Sequence, residues 1–231
     1  MKRFWKDVTV APAEAGWRVL LDGRPIRTQA GAPQVVPTET LAQALAEEWR
    51  GQGEEVDPRA FRFRDMADFA IDQVRPDPAA TIARLMAYAE TDTLCYRADP
   101  DEPLYRRQQA LWEPLLAAAE AQHGVRFERV SGVLHRPQPP ATLARLRERL
   151  EGYDPFTLAA LTTVAPLAAS LTVALAALEP GADTSALFAA ANCEQDWQAE
   201  LWGWEEEAEA NRASRLASFA AAARFAHLAR E

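Results

Sequence analysis

The stretch Gly16–Thr28, "GWRVLLDGRPIRT", sets Trp17, Val19 and Leu21 on alternate positions and then breaks at Asp22-Gly23. Side chains two residues apart share one face of a strand, so this spacing fits a half-buried strand and not a helix. Asp-Gly is the residue pair favoured in a two-residue hairpin turn, where both central positions take positive φ. The stretch therefore predicts a β-hairpin. Upstream, Phe4–Pro12 ("FWKDVTVAP") repeats the alternation. Downstream, Pro33–Pro37 ("PQVVP") reads as a further short strand closed by proline. Thr38 is then placed to cap a helix, "TETLAQALAEEWRGQ", with Leu41, Ala42, Leu45 and Trp49 on one face and Gly51 and Gly53 at its end. The charged, proline-bearing "GEEVDPRAF" reads as a linker. The expected division is a β-rich N-terminal domain with one helix over residues 1–58 and a helical domain over 59–231.

From the linker onward the pattern is helical. "RDMADFAIDQVR" aligns Met66, Phe69, Ala70 and Val74, Pro76 stops it, and Asp77 or Pro78 opens "PAATIARLMAYAET". "DEPLYRRQQALWEPLLAAAEAQHG" is a longer helix with Gly124 at its C-cap. "VRFERVSGVLH" suits an extended excursion before "QPPATLARLRERLEG". Two amphipathic helices close the chain, "DTSALFAAANCEQDWQAELWGW" and "EEEAEANRASRLASFAAAARFAHLARE". The fold class is α+β, a small antiparallel β-containing domain followed by a larger all-helical one.

Residues 155–178 ("PFTLAALTTVAPLAASLTVALAAL") carry no charge over a length that could span a bilayer. Their alanine and threonine content, the central Pro166 and the lack of aromatic or basic flanks argue instead for a buried, proline-interrupted hairpin, so no membrane insertion is expected. A formal net charge of -9 argues against a nucleic-acid partner, because phosphate contacts need a basic surface. Lys2 and Lys6 are the sole lysines, which leaves little scope for lysine-based catalysis. Cys95 and Cys193 form no CxxC pair and read as reduced thiols in a cytoplasmic protein without signal or transit segment.

No glycine begins a GxGxxG or GxxxxGK phosphate loop, and neither GxSxG nor HExxH occurs. His123, His135 and His227 lie on unlike segments. No cofactor or metal is expected. Two polar clusters stand out. The octet Thr91–Ala98, "TDTLCYRA", holds Asp92, Tyr96 and Arg97; Asp92 and Arg97 are near enough in sequence to pair across a helix end. It serves as a structural staple or as a binding motif. The second cluster sets Glu194, Asp196, Glu200 and the run Glu205-Glu206-Glu207 among Trp197, Trp202 and Trp204. A helix continuing through Gly203 would put Trp197, Leu201 and Trp204 on one side, with Glu194 near it. Such tryptophans serve as core packing or as a docking surface. A hydrolase using these carboxylates is the alternative, and it requires one of them with a raised pKa.

Three segments, "KRFWKDVTV…GWRVLLDGRPIRT…VPTETLAQALAEEW", "TDTLCYRA" and "EQDWQAELWGWEEEAEANR", resemble in order and spacing the assembly chaperones that capture the alpha subunit of the F-type ATP synthase catalytic head. That family occurs in mitochondria and α-proteobacteria. The resemblance implies a mixed N-terminal domain, a helical C-terminal domain, no catalysed reaction, and a monomer that shields the beta-facing surface of a free alpha subunit. Asp92, Leu94, Cys95, Tyr96, Arg97 and Ala98 match the family octet, while Thr93 stands where leucine is usual. Glu194, Trp202 and Gly203 match the C-terminal motif, and Glu205 stands where aspartate is frequent. The resemblance thus implies partner binding through Glu194, Trp197, Trp202, Gly203 and Glu205.

Overall fold

The computed structural model describes residues 2–132 and 136–231, so the expectations for His135 and for Val133 and Leu134 of the extended excursion lie outside the described residues. The chain forms two compact units, each of them discontinuous in sequence. The first comprises Met1–Pro78, Asp154–Ala160 and Ala221–Glu231; the second comprises Ala79–Tyr153 and Leu161–Ala220. The sequence reading drew a single continuous division near residue 58 instead.

The first unit is built on the antiparallel meander β1 (Val8–Ala13), β2 (Gly16–Leu21) and β3 (Arg24–Pro25). β1 and β2 pair from Val8↔Leu21 to Ala13↔Gly16. Leu21 pairs with Arg24 around Asp22 (φ 48°) and Gly23 (φ 77°), the two positive φ values that the Asp-Gly pair was expected to supply. The Asp22 carboxylate then accepts the amides of Lys6 (3.0 Å) and Asp7 (2.8 Å), holding the turn against the start of the chain. Gly16 has a different reason to be glycine. It takes φ 142° beneath Val36, and a Cβ there would lie 2.2 Å from the Val36 carbonyl oxygen.

Helix α1 (Glu39–Arg50) starts at Thr38, whose Oγ accepts the Leu41 amide at 3.1 Å and donates to the Leu228 carbonyl at 2.5 Å. Its buried Leu41, Ala42, Leu45 and Ala46 pack against β1 and β2, where Val8, Val19 and Leu21 are also buried. α2 (Arg62–Phe69) runs into a π-helical turn at Ala70–Val74. The first amides of α2 are satisfied from α1: Glu48 accepts from Phe63 (2.7 Å) and Arg64 (2.9 Å). Asp68 and Asp72 bind Gln34 (2.5 Å) and Thr28 (2.8 Å).

The strand expected at Pro33–Pro37 is absent. Its backbone makes only isolated bridges, Arg27↔Pro33 and Trp17↔Val36. Pro33 and Pro37 have no N–H to give a ladder, and the Gln34 side chain between them is drawn to Asp68 of α2.

The second unit is helical apart from a two-residue parallel ladder, Tyr96↔Val130 and Arg97↔Ser131, between β4 (Tyr96–Arg97) and β5 (Val130–Ser131). Its helices are α3 (Pro78–Glu90, from its second residue), α4 (Pro103–His123), α5 (Pro140–Glu151), the later part of α6 (Pro155–Ala168), α7 (Leu171–Ala176), α8 (Thr184–Ala191), α9 (Cys193–Trp202) and most of α10 (Glu206–Leu228). α4 ends at Gly124 in the left-handed conformation (φ 65°). It buries Gln108, Trp112, Leu116 and Ala119 on one stripe.

The apolar run at 155–178 does break, but not at Pro166. α6 continues through that proline to Ala168, the chain reverses at Ala169 (φ 47°), and Ser170 caps α7 by accepting the Val173 amide at 3.0 Å. Among the described residues no helix is long and apolar enough to cross a membrane. The helix expected over "DTSALFAAANCEQDWQAELWGW" is two helices. Asn192 separates them, its side chain donating to the Phe188 carbonyl (2.9 Å) and accepting from Arg215 (3.0 Å).

Candidate functional site

The octet begins where α3 stops. Asp92 is fully buried; it accepts the Leu94 amide at 3.1 Å, capping the 3-10 turn Thr93–Cys95, and the Thr172 amide at 2.8 Å, at the start of α7. Thr93 donates its amide to the Ala169 carbonyl at 3.0 Å. Burial pushes the Asp92 carboxyl above its ordinary 3.8, opposed by the donors from Thr172, Ser170 and Leu94. The Asp92–Arg97 pair expected from sequence does not form, because Asp92 is engaged by the α6–α7 turn. Arg97, also buried, instead binds Gln109 (2.6 Å) and Glu113 (2.6 Å) of α4. Tyr96 donates its hydroxyl to the Arg136 carbonyl at 3.3 Å. Glu113 is shared with Arg129 (2.7 Å), which also pairs with Glu120. Cys95 and Cys193 are buried; burial pushes the Cys95 thiol up, and that of Cys193 to about 12, so neither is a thiolate near neutral pH.

Gln108 of α4 joins the octet to the C-terminal cluster. Its Oε1 accepts the Ala98 amide (2.8 Å) while its Nε2 donates to Glu194 (2.6 Å). Glu194 is otherwise exposed at the start of α9. Further along α9, Trp197 is half-buried with Arg107 of α4 5.7 Å from its ring, and Arg107 binds Glu200 through its two terminal guanidinium nitrogens, at 2.5 and 2.7 Å. Arg212 of α10 binds Asp196 in the same two-point manner (2.7 and 2.5 Å) and sits 5.8 Å from the Trp204 ring.

α9 does not run through Gly203. At φ 90° and ψ 158° that residue turns the chain out of the helix, so Trp204 leaves the face expected to hold it with Trp197 and Leu201. The result is an exposed apolar group: Leu201 at 57%, Trp202 at 82% and Trp204 at 39% of full accessibility. The Trp202 indole donates to Gln198 at 3.2 Å. Glu205 follows on the surface, with Glu206 and Glu207 in the first turn of α10.

The ATP12 chaperone model matches residues 2–120, which include the N-terminal hairpin, α1 and the octet. The chain belongs to the ATP12 chaperone family. The mitochondrial Atp12 protein of Schizosaccharomyces pombe is 26% identical over 219 residues, 90% of this chain and 75% of the relative. The crystal structure of Atp12 from Paracoccus denitrificans superposes with a TM-score of 0.93 at 41% identity, covering 99% of this chain and 98% of that one. A chaperone candidate from Agrobacterium tumefaciens gives 0.93 at 40% identity over 98% and 85% of the two chains. ATP12 proteins are chaperones of ATP synthase assembly, not enzymes.

That agrees with the chemistry of the carboxylates. In this ATP12 chain Glu200 and Asp196 are each held by an arginine, and hydrogen bonding from Arg107 keeps the Glu200 carboxyl below its ordinary value. A hydrolytic general acid needs the opposite shift. Among the described residues no group of three or more His, Cys, Asp or Glu side chains could hold a metal.

The residues that assemble the site, Arg107, Gln108, Glu113, Arg129 and Arg212, were not singled out from sequence. The one local signal was the glutamine pair Gln108-Gln109 within an otherwise amphipathic helix. Hydrogen bonds from Arg129 and Arg97 hold the Glu113 carboxyl below its ordinary 4.5. A depressed carboxyl contributes stability that is complete above 4.5 and is lost as pH falls through its lowered value. Melting temperature in that acid range is expected to fall less steeply with pH for Glu113→Gln than for the unaltered chain. The difference is only a few °C, because both pairs are partly screened by water; identical slopes would show that the pairs add nothing.

Proposed function

We propose that this ATP12 chaperone binds the unassembled alpha subunit of the ATP synthase catalytic head and covers its beta-facing surface until the hexamer forms. The observation that carries the reading is Trp202, a large aromatic left 82% exposed beside Leu201 and Trp204 on an otherwise acidic surface. Solvent exposure of neighbouring large apolar groups marks a protein–protein surface, and tryptophan is the residue most enriched where binding energy concentrates. A free subunit exposes the interface it later buries, and such surfaces aggregate. A cover of modest area with a polar rim can be displaced by the true partner.

In this reading Glu194, Trp197, Trp202, Gly203 and Glu205 form the partner face. Gly203 sets the chain direction between the indoles. Asp92, Tyr96 and Arg97 hold the platform beneath, and the protein acts as a cytoplasmic monomer. Co-expression with the alpha subunit of the same organism is expected to keep alpha soluble and co-purifying, and added beta subunit is expected to release it. Glu194→Lys is expected to lose capture with a melting temperature within a few °C of the parent, since the residue is exposed. Aggregation of alpha regardless of the chaperone would overturn the reading.

A further inference from the structure

The C-terminal cluster repeats one arrangement, an arginine near a tryptophan ring and tied to a carboxylate. Arg107 does this for Trp197 with Glu200, and Arg212 does it for Trp204 with Asp196. Both arginines belong to this chain, and each is held by two hydrogen bonds to its acid. Trp202, between them, is different. No arginine of the chain lies over its ring among the described residues, and its indole N–H is already occupied by Gln198. Glu205, Glu206 and Glu207, which follow Gly203 and Trp204, enter no salt bridge among the described residues and are exposed.

We infer that Trp202 and the acids after it receive an arginine side chain of the partner, set in an apolar surround that packs on Leu201 and Trp204. The inference rests on the proposed capture of the alpha subunit and specifies the chemistry of the surface captured. A guanidinium is weakly hydrated and can stack on an indole face while its N–H groups bind carboxylates; Arg107 and Arg212 here combine a tryptophan ring at 5.7 and 5.8 Å with a two-point bond to an acid. The negative charge around the indole matches such a cation, and it also disfavours acidic surfaces.

The test measures affinity for purified alpha subunit across a salt series for the full-length chain and two variants. Trp202→Leu keeps an apolar side chain but removes the π face. Glu205→Gln combined with Glu206→Gln and Glu207→Gln keeps size and hydrogen-bonding capacity but removes charge. All four positions are exposed, so melting temperatures within a few °C of the parent are expected, and measuring them checks that each variant folds. The expected result is a loss of about tenfold for Trp202→Leu, and for the glutamine variant a weaker affinity that no longer falls with salt. Full-strength, equally salt-sensitive binding by both variants would overturn the inference while leaving alpha capture standing. Failure of the unaltered chain to bind alpha overturns the functional reading and this inference together.

Discussion

Asp92→Ala is expected to lower stability by roughly 3–5 kcal/mol, because it leaves two buried backbone donors without an acceptor. The Leu94 and Thr172 amides both end on this carboxylate, and Asp92 is completely buried. One amide belongs to the turn that leads into β4 and the other to the first turn of α7, so the side chain joins the octet to the α6–α7 reversal alongside the Thr93–Ala169 backbone bond. Alanine can accept from neither. At the size of this chain the loss corresponds to a fall in melting temperature on the order of 10 °C. Asp92→Asn is expected to recover part of it: the amide oxygen can take one donor, while its NH2 faces the other N–H. Urea denaturation of the three proteins measures the effect. A change below about 1 kcal/mol for the alanine variant would mean that water or a local shift satisfies both amides.

Trp112→Ala is expected to cost a similar amount, about 3–5 kcal/mol, for a different reason. The side chain is fully buried in the middle of α4, and its indole donates to the Ala190 carbonyl near the end of α8 at 2.7 Å. Truncation leaves a cavity and an unpaired carbonyl together. Trp112→Phe keeps most of the volume and loses the hydrogen bond, so its cost is expected nearer 1–2 kcal/mol. The position also bears on the site. Trp112 follows Gln108 by four residues on the same stripe, and Gln108 carries the bond from Ala98 to Glu194. Equilibrium denaturation of the alanine and phenylalanine variants separates volume from hydrogen bond. Equal losses in both would show that the indole N–H, and not packing, sets the contribution.

Much of the fold was legible because its determinants act within four residues. The Asp22-Gly23 turn, the Thr38 cap, the Gly124 stop and the stripe of α1 each depend on a side chain and its near neighbours, and all occur where the sequence placed them. The reading went astray where a residue had a local option and a distant one. The strand expected at Pro33–Pro37 yielded to its prolines and to capture of Gln34 by Asp68, the break expected at Pro166 moved to Ala169, and the single helix expected over 183–204 was cut at Asn192 by bonds that include one to Arg215.

The candidate site divides along the same line. Its residue types could be read directly: tryptophans among acids, the octet, and Gly203 beside Trp202. Its assembly could not. Asp92 and Arg97 are five residues apart and share no bond, while Ala98 and Glu194 are joined through Gln108. The sequence by itself determined the N-terminal hairpin, the capped helix after it, the family and the chemistry available, since turn geometry, capping and periodicity are properties of neighbouring residues. Only the tertiary structure decided which charges are consumed within the chain and which remain for a partner. A long arginine or glutamine side chain can reach several carboxylates, and packing of α4, α9 and α10 selects among them.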